Sequence, residues 1–195
     1  ESFTNYSESL FLEYHFGQET ASQYTRGQRL NIANQTPIIG QYNVHQRGSS
    51  DMYDKGGNML HMMRQIIDDD DIWRDILRGL NKDFYHQIVT TNDIEQYINQ
   101  KSGKDFTKVF DQYLRDIRIP TFEYFIKDNT MKIRWGNAVQ NFDMPVKVSI
   151  NGKTQWLSPT TQWTTVTLKV TNPSLIVDAN FYINSQNVLG SPSQE

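Results

Sequence analysis

Val109-Phe110-Asp111-Gln112-Tyr113-Leu114-Arg115-Asp116-Ile117-Arg118-Ile119-Pro120-Thr121-Phe122-Glu123-Tyr124-Phe125-Ile126 changes its period partway along. Before Pro120, the apolar residues Val109, Phe110, Tyr113, Leu114 and Ile117 recur at three- and four-residue spacing, the stripe of an amphipathic helix. After it, Phe122, Tyr124 and Ile126 alternate with other residues, as a half-buried strand does. A proline pushes the residue before it out of the α region, so the helix is predicted to end at Pro120. The switch divides the chain into a helical part, residues 1–118, and a β part, residues 119–195.

Upstream of the switch the helical period repeats. Helices are predicted over about Ser2 to Phe16, with Gly17 as C-cap, then Glu19 to Leu30, Met52 to Ile67 and Asp71 to Phe84. Residues 33 to 50, with Pro37, Gly40, Gly48 and Ser49-Ser50, have the composition of a loop. Asn92 with Glu95 fits a capping box for a short helix stopping at Gly103, and Asp105 is placed to cap the last helix. Downstream, Met131, Ile133 and Trp135 alternate, as do Val146, Val148 and Ile150. Val166, Leu168 and Val170 form another strand, and Leu175 to Val177 a further one. Asn151-Gly152 is a strong two-residue hairpin signal. The class predicted is α+β, an all-α part followed by a small antiparallel β-sandwich.

Composition narrows the function classes. The 195 residues are 37% hydrophobic, enough for one large or two small domains with a true core. Nineteen basic against 22 acidic side chains, net −3, argue against nucleic acid or an anionic membrane as the main partner. No stretch approaches the ~18 uninterrupted apolar residues of a membrane span. The absence of cysteine excludes disulfides, thiol nucleophiles and zinc fingers.

Two segments carry candidate chemistry. In Glu1-Ser2-Phe3-Thr4-Asn5-Tyr6-Ser7-Glu8 the two glutamates are two helical turns apart and share a helix face, an arrangement that is ordinarily just a solvated face. In Asp51-Met52-Tyr53-Asp54-Lys55-Gly56-Gly57-Asn58-Met59-Leu60-His61-Met62-Met63-Arg64, two glycines in the opening turns of a helix each cost roughly 1 kcal/mol against alanine. Close approach of another backbone is the usual compensation. Tyr53 precedes them at the helix N-terminus, where the dipole favours negative charge, although it would equally serve as an ordinary buried tyrosine.

Together these segments resemble the aminopeptidase N family of zinc metallopeptidases, the gluzincins. Glu1 to Glu8 is similar to the family's Asn-Glu-Gly-Phe-Ala-x-Tyr-x-Glu segment, with Ser2 for the usual glycine and Thr4 for alanine. Tyr53-Asp54-Lys55-Gly56, followed by Leu60-His61-Met62-Met63-Arg64, is similar to the Tyr-x-Lys-Gly segment and the apolar helix after it. The resemblance implies the all-α C-terminal part of a thermolysin-like catalytic domain, with a β-sandwich behind it. It implies Glu1 as a zinc ligand and Tyr53 as the donor that stabilises the transition state. Glu8 would orient the metal's ligands by hydrogen bonding. It further implies peptide substrates, zinc as cofactor and, by a small margin, a periplasmic or extracellular setting.

The family's His-Glu-x-x-His is not in the sequence: none of His15, His45, His61 and His86 begins it. A catalytic zinc site takes three protein ligands, and Glu1 supplies one. The start at Glu1-Ser2-Phe3, without an initiator Met, leads us to expect a piece of a longer chain. Its partner would be the missing N-terminal part of the catalytic domain, with His-Glu-x-x-His eighteen residues before Glu1. On that reading the 195 residues alone are inactive and do not hold zinc tightly.

Other features have plainer readings. Asp68-Asp69-Asp70-Asp71 lacks the alternating oxygen ligands of a calcium loop and suits a helix N-terminus. His61, on an apolar helix face, reads as packed or hydrogen-bonded. Trp135 reads as core. Trp163 is the candidate exposed platform, with contact to the helical part the favoured use. The alternative from a different class is a non-catalytic interaction protein whose immunoglobulin-like sandwich binds carbohydrate or another protein.

Overall fold

The computed structural model describes residues 1–45, 47–127, 129–168 and 173–188. Helix α1 runs Ser2–Phe16 and stops at Gly17, whose φ of 89° lies in the region that favours glycine. It packs along α3, Asp51–Ile67. Between them α2, Gln18–Gly27, runs into a 3-10 turn, Gln28–Asn31. The single helix expected from Glu19 to Leu30 is therefore two pieces. The break follows Gly27 and turns Arg29 towards the carbonyls of Ala179 and Asn180, at 2.8 and 3.1 Å.

Helices α4, Asp70–Asp83, α5, Thr91–Ser102, and α6, Thr107–Arg115, complete the helical portion. The Asp69 carboxylate caps α4 by accepting from the Asp71 and Ile72 amides, so the acidic run serves a helix N-terminus. At α5 the capping box is Thr90 with Asp93 rather than Asn92 with Glu95. The Asp93 carboxylate takes the Thr90 amide at 2.8 Å, while Glu95 is used across the fold, pairing with Arg115 at 2.7 Å. The start of α6 is shared: Asp105 accepts the Thr107 amide, but Phe106 holds the N-cap position. Its end also departs from expectation. The chain leaves the helix at Asp116, ahead of Pro120; the proline has no N–H to offer the Asp116 carbonyl, which accepts from the Lys55 ammonium at 2.8 Å instead.

The β portion holds two sheets among the described residues. One has the order β5-β2-β1-β7, with β1 Thr121–Lys127, β2 Thr130–Gly136, β5 Thr164–Thr167 and β7 Asn184–Asn187. The other has the order β4-β3-β6, with β3 Val146–Ile150, β4 Lys153–Leu157 and β6 Leu175–Val177. The arrangement is not wholly antiparallel, since β7 lies parallel to β1. Asn151 and Gly152, at φ 49° and 79°, form the hairpin turn between β3 and β4. Val170, expected in a strand after Leu168, lies outside the described residues.

The fold class is α+β, and one buried cluster runs through both portions, from Tyr6, Leu60 and Trp73 to Phe122, Trp135 and Val146. Trp135 is core, as its alternation implied. Trp163 is partly exposed, and the Arg134 guanidinium lies 4.6 Å over its ring. No helix among the described residues is long and apolar enough to cross a membrane.

Candidate functional site

The two segments singled out in the sequence meet where α1 crosses α3. A Cβ built on Gly56 would lie 1.9 Å from Ser2 Oγ, and one on Gly57 2.2 Å from Asn5 Oδ1. Glycine at both positions is what allows the contact, so the compensation for two helix-weakening residues is the approach of α1. Across this seam Ser2 Oγ donates to the Met52 carbonyl at 2.8 Å, and Asn5 Nδ2 donates to Asp54 Oδ1 at 3.2 Å.

Glu1 and Tyr53 thus flank a bonded pair, Ser2 and Met52. Glu1 is exposed and sits in the N-cap position of α1 without a side-chain cap bond. Tyr53 is half-buried in the first turn of α3. Two turns along α1 from Glu1, the Glu8 carboxylate accepts the Tyr24 hydroxyl at 2.5 Å, and that bond is the main reason the Tyr24 phenol is pushed up. Beside Glu1 a largely apolar cavity of about 350 Å³ opens, lined by Phe3, Ile38, Leu60, Ile94 and Phe110 among others.

Around Tyr53, side chains of α3 bond to several neighbouring segments. Asp51, 1% exposed, accepts the Ala33 and Asn34 amides at 2.9 and 2.7 Å. Lys55, also 1% exposed, reaches the Asp116 carbonyl, and burial holds its ammonium below the usual lysine range. Asn58 donates to the Thr25 carbonyl and accepts from Arg29 Nε. These three polar residues share the buried face of α3, and the sequence reading assigned them no role. Their spacing of four and three residues, which puts three polar side chains on one helix face, is the signal that could have found them.

The histidines do not gather. His61 is buried, with Nε2 3.0 Å from Asn180 Oδ1, and burial pulls its pKa down. His15 packs against the rings of Phe11 and Tyr14. Among the described residues no group of three or more His, Asp or Glu side chains is placed to hold a metal ion. Glu1 is an exposed carboxylate with no side-chain cap bond, and the described residues do not make a zinc site by themselves.

No family model matches the sequence. Among solved structures, that of Legionella pneumophila aminopeptidase A in complex with aspartic acid is similar in fold, with a TM-score of 0.66 at 18% identity. The match covers 95% of this chain and 23% of that one. The chain thus has the fold of part of an aminopeptidase and spans about a quarter of its length.

Proposed function

We propose that these residues belong to a zinc-dependent aminopeptidase of the aminopeptidase N type, one that hydrolyses N-terminal residues from peptides. The observation that carries the proposal is the Ser2–Met52 bond across the α1–α3 seam, which puts the Glu1 and Tyr53 segments side by side. The fold likeness to an aminopeptidase supports it. In this reading Glu1 is one ligand of the metal, and the remaining ligands and general base come from a His-Glu-x-x-His outside this sequence. Zinc held there would supply polarisation of the scissile carbonyl and activation of a water. Tyr53 would donate its hydroxyl proton in a hydrogen bond to the carbonyl oxygen as negative charge develops there. That bond strengthens mainly in the transition state, so it would act on kcat. The α3 N-terminus adds a field that favours the same charge. Glu8, which accepts the Tyr24 hydroxyl, would orient the metal's ligands by hydrogen bonding.

The test begins with the parent gene, which should encode His-Glu-x-x-His eighteen residues before Glu1. The full product should hydrolyse aminoacyl-arylamides in a zinc-dependent manner. The 195-residue chain alone should neither do so nor bind zinc tightly in a calorimetric titration, since one carboxylate lacks the required geometry and charge. A gene without the motif, or a zinc-loaded product without hydrolysis, sinks the proposal.

A further inference from the structure

The two residues on either side of Tyr53 are bonded to three other parts of the molecule. Met52 accepts from Ser2 and Asp54 from Asn5, both on α1. Asp51 binds the two amides that follow the 3-10 turn, and Lys55 binds the carbonyl at which α6 ends. Met52 takes part through its backbone carbonyl, and the Tyr53 side chain enters none of these ties. The Asp116 carbonyl is itself fixed, because its side chain and Arg118 form a fork with contacts of 2.7 to 3.1 Å.

Packing does not explain Lys55. Removing an ammonium from water carries a large penalty, and an apolar side chain of similar length often fills such a site without loss of stability. Lysine adds a directional bond from α3 to α6, 61 residues on. Together with the two bonds from Asp51, it ties the first turn of α3 to residues 33 and 34 and to the end of α6. An oxyanion donor needs such restraint, because it must lie within about 2.7–3.1 Å of the oxygen it stabilises. A misplacement of about 1 Å can cost on the order of a hundredfold in rate.

We propose that Lys55 is a positioning residue that, through its bond to the Asp116 carbonyl, holds the Tyr53 hydroxyl at the reacting carbonyl. The inference rests on Tyr53 being the oxyanion donor. It adds that the position of this donor is set from α6, by a residue that touches neither substrate nor metal.

A double-mutant cycle in the complete zinc-loaded enzyme separates the two claims. Tyr53→Phe should lower kcat roughly a hundred- to a thousandfold with KM little changed. Lys55→Met should lower kcat by about tenfold or more, again with little change in KM. The double variant should be no slower than Tyr53→Phe alone, because Lys55 acts only through the hydroxyl that Phe lacks. If Tyr53→Phe is slow while Lys55→Met keeps full kcat, or if the two losses multiply, the positioning role is overturned and the donor reading stands. If Tyr53→Phe keeps full kcat, both fall.

Where Lys55→Met fails to fold, Lys55→Gln carries the same cycle. A second readout uses the 195-residue chain with carbon-13-labelled tyrosine. Lys55→Met should shift or broaden the Tyr53 ring signals and leave those of Tyr6, which packs on Trp73, in place. Unchanged Tyr53 signals would overturn the proposal.

Discussion

Gly56 shows at the residue scale how little room the α1–α3 seam leaves. An alanine there gains about 1 kcal/mol of helix propensity over glycine. Its Cβ would also lie 2.6 Å from Ser2 Cβ and 3.4 Å from Ser2 Cα, atoms that move only with the α1 backbone. Overpacking of this kind costs roughly 1–3 kcal/mol, so Gly56→Ala should lower stability in urea unfolding. Ser2→Gly in the same chain should recover part of the loss by removing both Cβ and Oγ. Gly57→Ala should cost less, since it meets the amide head of Asn5, which can turn. Equal losses at the two glycines would show that the seam gives way elsewhere. In the sequence the glycine pair was legible as a helix flaw needing compensation. That the compensating partner is the Ser2–Asn5 segment was not, because contact between residues some fifty apart leaves no local pattern.

Elements were legible where periodicity or turn chemistry decides them, and illegible where a distant side chain does. The stripe in α3, the left-handed Gly103 that closes α5 and the Asn151-Gly152 hairpin are local facts, and the structure has all three. The end of α6 is local only in part, since Pro120 has no N–H to offer the Asp116 carbonyl. Lys55 takes the Asp116 carbonyl, and Gln112, fully buried, ties the helix to the Arg118 carbonyl and the Val139 amide. Strand β7, Asn-Ser-Gln-Asn, has no apolar alternation at all, and its backbone pairing with β1 makes it a strand. The start of α5 was misassigned by two residues because Asn92 and Thr90 are both good caps and only the fold selects between them. Thr90→Ala should therefore cost about 1 kcal/mol, and Asn92→Ala, on an exposed position, within about 0.5. Thermal unfolding of the two variants checks this. A larger loss at Asn92 would restore the original box.

At the scale of the whole molecule, the turn around Asn180 joins the β portion to the helices. Asn180 Oδ1 accepts from Arg26 at 3.2 Å and faces His61 Nε2 at 3.0 Å. Arg29 binds the Ala179 and Asn180 carbonyls with its pKa lowered by burial to about 10, and the Tyr113 hydroxyl donates to the Tyr182 carbonyl. His61 makes this joint sensitive to pH. Burial, opposed by the Asn180 bond and assisted by the positive charges of Arg29, Arg64 and Arg26, holds its pKa below the unfolded value of 6.5. Between the lowered folded value and 6.5 the unfolded chain binds more protons than the folded one, so stability rises with pH across that window. The contribution is complete above 6.5 and is lost as pH falls through the folded value. His61→Gln keeps an N–H donor for Asn180 and removes the titration. Melting temperatures measured from pH 7.5 down to about 5 should fall more steeply for the natural chain than for His61→Gln, before the carboxylates, with pKa values near 4, begin to protonate. Parallel slopes would mean that His61 is free to take its proton inside the folded joint, and that Asn180, rather than the pH, decides how firmly the two portions are held.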